Sequence, residues 1–241
     1  MSKINSLVVS VVALVVAIAA LVMCILCCNK NKPVDVAETL NNNPEIIINA
    51  MQNYEQKMRE NALAEAQKLI DDNMDALVNN PDSPVVGNKD GSVTVVEFFD
   101  FSCGYCHRLH PTMQNIIAKN PDVKVVLKEL AFVAPVSNYA AKAALAANLQ
   151  GKYADFWDAM MTNNGLLTEA KVDELAVKNG VDLEQMKADM NSERVNQIMK
   201  DTSDLASKIQ VNGVPALVIN GKMVQTLDEN VIQSAIDAAK K

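Results

Sequence analysis

Basic character is what this 241-residue chain lacks most plainly. Its 22 Lys and Arg stand against 29 Asp and Glu, a formal net charge of −7 with a pI near 4.9. With no basic stripe to meet phosphate groups, nucleic acid is excluded as a partner. Cysteine is scarce where a fold would use it. Of the five, Cys24, Cys27 and Cys28 cluster at the end of an apolar run, which leaves Cys103 and Cys106 alone in the rest of the chain. The fold therefore depends on no structural disulfide. No second Cys/His pair lies downstream to complete a zinc site begun by Cys103, Cys106 and His110. No internal repeat is evident. Charge is missing altogether from Leu7 to Cys28, 22 residues and long enough to cross a bilayer. Glycine and proline are missing from Glu45 to about Val78.

What is present is concentrated in residues 98–111, FFDFSCGYCHRLHP. The β-type run Val93–Phe99 leads directly into Cys103-Gly104-Tyr105-Cys106. After it, Leu109, Met113, Ile116 and Ile117 have the spacing of one helix face, and Asn120-Pro121 stops the run. Two cysteines two residues apart at the start of such a helix form a redox site. The free N–H groups and positive dipole end stabilise a thiolate at Cys103, which makes it the attacking sulfur. Cys106, one turn further in, closes the disulfide and releases the partner. Two rivals use the same residues. Cys103-x-x-Cys106-His107 matches c-type haem attachment, with His107 as axial ligand, but a haem domain has no use for the strand before it. A purely structural disulfide is disfavoured because so short a loop gains little from closure.

Near the other end, Gly213-Val214-Pro215 precedes the apolar run Ala216–Ile219. Asn220-Gly221 then separates that run from Lys222-Met223-Val224, a strong hairpin signal. With these motifs in hand, residues 85–241 resemble the DsbA-like thioredoxin-fold thiol–disulfide oxidoreductases of the bacterial envelope. The resemblance rests on the CxxC, on the strand VEFFDF and on Gly-Val-Pro. It implies that Pro215 is cis and faces the disulfide, that Val214 holds a substrate strand beside Gly104 and Tyr105, and that Glu97 beneath the CxxC moves protons. Lys128 would be a partner for Glu97, as in similar folds, or else an exposed strand lysine. His107, like Tyr105, would tune the Cys103 thiolate. The dipeptide Gly-Tyr departs from the Pro-His of the strongly oxidising DsbA and matches the isomerase DsbC. No cofactor or metal is implied.

The expected architecture is α/β: a thioredoxin fold with an all-helical insert, preceded by a transmembrane anchor and a long N-terminal helix. Residues 1–28 are read as a membrane anchor or signal-anchor. Ala17-Ile18-Ala19 offers a cleavage site, but apolar residues continue past it. Lys3 on one side and Lys30 and Lys32 on the other leave orientation open. Cys24, Cys27 and Cys28 are read as small hydrophobes, with lipidation the alternative. Residues 29–43 are a polar linker and 44–80 a dimerisation helix, striped by Ile47, Met51, Tyr54 and Met58 and then Ala62, Ala66, Ile70 and Met74. The alternative is a helix packed back on its own domain. The thioredoxin domain fills 81–241. Val123–Leu130 is its second strong strand, and the helical insert occupies about 138–210. Thr168 and Asp182 are N-caps there, Gly180 a C-cap, and Trp157 with Met160-Met161 its core. The functional expectation is a thiol–disulfide oxidoreductase that forms or isomerises disulfides in exported proteins. It would be periplasmic, tethered to the inner membrane, homodimeric through 45–78 and served by a membrane redox partner. A plain monomeric dithiol oxidase and a chaperone-like dimer with an incidental CxxC are the alternatives.

Overall fold

The computed structural model describes residues 2–28 and 35–240, with side chains over 11–27 and 35–240. The chain divides into two compact units, 1–59 and 60–241.

The first unit is helical. Helix α1 (Ser2–Cys28) contains the uncharged run. Among the described residues no helix is long and apolar enough to cross a membrane. The anchor expected over Leu7–Cys28 therefore has no structural support, and the side chains of 7–10 and of Cys28 lie outside the described residues. The linker expected over 29–43 is shorter than supposed. Residues 29–34 lie outside the described residues, and Val36–Asn42 forms helix α2, because the Asp35 carboxylate accepts from the N–H groups of Ala37 and Glu38 at 3.0 and 3.1 Å. Helix α3 (Glu45–Asp71) starts just after Pro44. Its first half leaves Ile46, Ile47, Met51, Tyr54 and Met58 exposed, and with Leu40 of α2 it lines an apolar groove of about 520 Å³.

The second unit begins inside α3. Ile70 and, in helix α4 (Met74–Val78), Leu77 are fully buried against the sheet, and Gln67 donates from Nε2 to the Gly221 carbonyl at 2.7 Å. The second half of the expected dimerisation helix is thus part of the second unit. The reason is that its stripe finds a partner in the sheet face of Val96 and Phe98, which it covers together with the last helix of the insert.

That sheet has five strands: β1 (Val85–Gly87), β2 (Val93–Phe99), β3 (Val123–Glu129), β4 (Ala216–Ile219) and β5 (Lys222–Val224), in the order β1-β3-β2-β4-β5. Strands β2 and β3 are parallel neighbours joined by helix α5 (Gly104–Lys119); the other pairings are antiparallel. Covered on both faces, β2 is apolar almost throughout. Val95 and Phe99 pack under α5, together with α6 (Ser137–Leu149), α7 (Tyr153–Met161) and α11 (Glu229–Ala239). Val96 and Phe98 pack against α3, α4 and α10 (Glu193–Lys208). The insert also holds α8 (Glu169–Lys178) and α9 (Leu183–Asp189). Thr168 and Asp182 cap these as expected, and Trp157, Met160 and Met161 are buried in its core. At the β4–β5 turn Asn220 and Gly221 both take positive φ, 45° and 82°, the requirement of a tight hairpin with Ile219 opposite Lys222.

Candidate active site

Cys103 is the N-cap of α5, so the sulfur lies where the first turn's backbone N–H groups have no partner within the helix. It is 6% exposed, whereas Cys106 is 0% exposed. Both thiols are free. Burial is the main influence holding the Cys106 thiol far above its ordinary value; the nearby Cys103 and Glu97 add to it, and only a backbone contact at Asp100 opposes. One sulfur is therefore reachable at a helix terminus, and the other is kept as a thiol beneath it. Tyr105 is exposed, with the Arg108 guanidinium 4.2 Å from its ring centre, a contact the sequence reading did not anticipate.

Opposite the cysteines, the Val214–Pro215 bond is cis, and the Cys103 Sγ–H donates to the Val214 carbonyl at 3.4 Å. Here chain segments more than a hundred residues apart meet. Tyr105, Gln210, Asn212, Val214, Pro215 and Leu227 line a cavity of about 480 Å³ beside them.

The two histidines face away from this cavity. His107 places its ring nitrogens 2.7 Å from the Phe101 carbonyl and 2.8 Å from that of Met161, which ties the active-site loop to the insert. His110 is buried, sits edge-on to Trp157, and holds Asp158 at 2.7 Å through Nε2. His110 is thus committed to the insert and does not gather with the two cysteines.

Glu97 is buried under α5, as expected, and burial pushes its carboxyl up to about 8; its Oε2 has no hydrogen-bond partner. The expected Lys128 pairing does not form, and Lys128 is not exposed either. In the parallel register Glu97 lies opposite Leu127, so Lys128 points to the other face of the sheet. There it donates to Ser83 Oγ at 2.8 Å and to the Ala76 carbonyl at 3.1 Å, and burial pulls its ammonium down to about 8.

Two buried acids escaped the sequence reading. Asp100 follows β2 directly. One carboxylate oxygen accepts from the Ser102 N–H at 2.8 Å and the Ser137 hydroxyl at 2.7 Å; the other accepts from the Phe132 and Val133 N–H groups at 2.9 and 2.8 Å. It therefore clamps the CxxC loop to the loop after β3. The available signal was an Asp between two phenylalanines just before the motif. Glu129, at the end of β3, accepts from the Tyr153 hydroxyl and has no helical or turn signature at all.

The sequence profile described as the DSBA-like thioredoxin domain matches residues 94–237, more than half of the chain. The chain belongs to that family. Among solved structures, this DSBA-like chain resembles a thioredoxin-like oxidoreductase from Silicibacter pomeroyi DSS-3. The two are 38% identical with a TM-score of 0.67, over 69% of this chain and 96% of that one. It is 28% identical to the thiol:disulfide interchange protein DsbA of Pseudomonas aeruginosa over 58% of this chain and 69% of that protein. It is also 29% identical, over 57% of its length, to a Na(+)/H(+) antiporter NhaA 1 of Salinispora arenicola, of which the match spans only 22%. Membership accounts for the shared core of β2, α5, β3 and the β4–β5 hairpin, which falls within the matched residues except for Val93 at the start of β2.

Proposed function

We propose that the chain is a thiol–disulfide oxidoreductase of exported proteins, with Cys103 forming the mixed disulfide and Cys106 resolving it. The observation that carries this is the asymmetry of the two sulfurs. Cys103 is the accessible one, at a helix N-terminus with the Val214 carbonyl at 3.4 Å, and Cys106 is fully buried and held as a thiol. A substrate strand would pair with the backbone at Val214 and Pro215, with Tyr105 on the cavity's lining and Gly104 beside it at the start of α5. Attack by the Cys103 thiolate on a substrate disulfide releases one substrate thiolate. Attack by Cys106 on Cys103 Sγ then releases the second. Glu97, the carboxyl whose charge is felt at Cys106, would assist proton transfer at that buried sulfur once it ionises, toward pH 8 and above.

The Gly-Tyr dipeptide supports a less oxidising site than DsbA's, which stands at roughly −120 mV. With pairing of two copies through the apolar groove of 36–59, it supports isomerisation of scrambled disulfides. Tethering through the apolar run of α1, a periplasmic location and a membrane redox partner complete the reading. The test is a trap. Cys106→Ala, incubated with a scrambled multi-disulfide substrate, should accumulate mixed disulfides through Cys103, and Cys103→Ser should accumulate none. Adducts on Cys106, or none in either variant, would overturn it.

A further inference from the structure

The mouth of the exchange site carries a charge that the chemistry above leaves unused. Arg108 lies three residues after Tyr105 on α5, is exposed, and has its guanidinium carbon 4.2 Å from the centre of the Tyr105 ring. The contact follows from helix geometry. Residues three apart share a face, and long side chains lean back toward the helix N-terminus, so Arg108 reaches over Tyr105 toward the turn that begins at Cys103. Tyr105 in turn lines the cavity of Val214 and Pro215, where the Val214 carbonyl accepts from Cys103 Sγ. Contacts therefore run from the guanidinium through the ring to the cavity of the attacking sulfur. The fold itself makes no use of this cation. Among the described residues Arg108 has no hydrogen-bond or ion-pair partner, in contrast to Arg194, which holds Asp82. No residue lining the cavity is charged, and the first turn of α5 holds no acid. The two acids that follow Leu227 at the cavity are engaged elsewhere: Asp228 caps α11, and Glu229 pairs with Lys119 at 2.6 Å. The helix dipole disfavours a cation toward this end of α5, so helix stability does not account for Arg108 either.

We propose that Arg108, held over the Tyr105 ring, binds a carboxylate carried beside the sulfur that Cys103 attacks, so that the preferred substrates are polypeptides with an acidic residue flanking the reactive cysteine. This rests on the exchange reading above and names its substrate class. A guanidinium engages a carboxylate through paired N–H donors. One laid against an aromatic ring is already ordered, which lowers the entropy lost when the carboxylate arrives. The local sign also opposes the global one. With a net charge of −7 the molecule as a whole repels an acidic segment. An uncharged cavity beside a helix N-terminus and the Arg108 guanidinium is where such a segment meets positive potential. In the exchange the Cys103 thiolate attacks the substrate disulfide. The bond from Cys103 Sγ to one substrate sulfur forms, and the substrate's own S–S bond breaks with its electron pair leaving on the departing thiolate. Arg108 touches no sulfur and takes no proton; it binds the flank of the substrate, and Tyr105 is the positioning residue that holds it there.

Charge selectivity tests this directly. Short single-cysteine peptides, joined as symmetrical disulfides, carry Asp, Asn or Lys next to the cysteine, in separate sets on its N-terminal and C-terminal sides. The reduced full-length protein is mixed with each, and the second-order rate constant of Cys103 attack is divided by that of dithiothreitol with the same peptide. That division removes the intrinsic effect of the peptide's charge. In at least one set the wild type should favour Asp over Asn roughly three- to fivefold at low ionic strength, the range of an exposed charge pair, and the preference should fade as salt is added. Arg108→Gln should abolish the preference, Arg108→Lys should keep part of it, and Arg108→Glu should turn it toward Lys. Tyr105→Ala, which removes the ring under the guanidinium, should weaken it. A preference that survives Arg108→Gln overturns the proposal, even where that variant slows all three peptides equally, since the guanidinium would then act on the Cys103 thiolate and not on the substrate. Absence of any preference in both sets overturns it as well. Selectivity for oxidised glutathione over its ethyl ester, with none among the peptides, would give the site to a small acidic thiol and overturn the polypeptide assignment. Failure of the underlying reading looks different: wild-type Cys103 would form no mixed disulfide with any peptide.

Discussion

At the scale of single residues, the site is shaped by what burial does to ionisable groups. Glu97 is the clearest case. A carboxyl raised from its ordinary value to about 8 is neutral in the fold and ionised in the unfolded chain over the interval from about 4.5 to 8. In that interval the unfolded state holds fewer protons, so stability is fullest below about 4.5 and falls as pH rises through the interval. Glu129, raised to about 7, acts in the same direction. Urea unfolding of Glu97→Gln should therefore show a smaller loss of stability between pH 4.5 and 8 than wild type, and a higher midpoint at pH 8. An unchanged slope would mean that Glu97 ionises freely. Asp100 contributes through its contacts, as an acceptor of four hydrogen bonds. Asp100→Ala strands the buried Ser137 hydroxyl and three part-buried N–H groups, and unfolding should register a loss of about 2–4 kcal/mol. Asp100→Asn, which keeps the shape, should cost less.

At the scale of elements, two joints deserve testing. The β4–β5 turn needs a residue at φ 82° at position 221, and a Cβ there would come within 3.4 Å of Met74 Sδ. Gly221→Val should thus cost on the order of 1–3 kcal/mol by left-handed strain in a β-branched residue, read as a lower unfolding midpoint with an unchanged active-site thiol titre. The other joint is α3. Its stripe is continuous in sequence, yet Ile70 is buried in the catalytic unit whereas Ile47, Met51 and Tyr54 are exposed in the first unit. The proposed pairing of two copies would therefore fall to 36–59 and not to the whole of 45–78. A chain beginning at Glu60 should be monomeric in light scattering and one beginning at Asp35 dimeric. Equal masses would remove the pairing role of that face.

At the scale of the whole molecule, the assembly and the site make one functional forecast. On the proposed reading, a site less oxidising than DsbA's and presented twice on paired chains would suit reshuffling of a misfolded protein held between two thiols. The dimer should rescue a scrambled multi-disulfide substrate, and the chain beginning at Glu60 should lose most of that rescue while it still oxidises dithiols. Brisk oxidation by the intact protein with no rescue would make a plain oxidase the better description.

Much of this was legible in the amino-acid order because the signals are local. A strand running into CxxC and a helix places one sulfur at a helix terminus by chain geometry alone. Asn220-Gly221 names its own turn, and Thr168 and Asp182 name their helix starts. Tertiary structure decided which side of the sheet each charge serves. Side chains alternate along a strand, so Lys128 and Glu129 went to opposite faces. Lys128 went to Ser83 and away from Glu97, and Glu129 went to Tyr153. It also decided where the long helix stops being an arm. A periodic apolar stripe records that a face must be covered, not what covers it. Only the sheet face of Val96 and Phe98, which Ile70 and Leu77 cover beside α10, settled that for the second half of α3 and for α4.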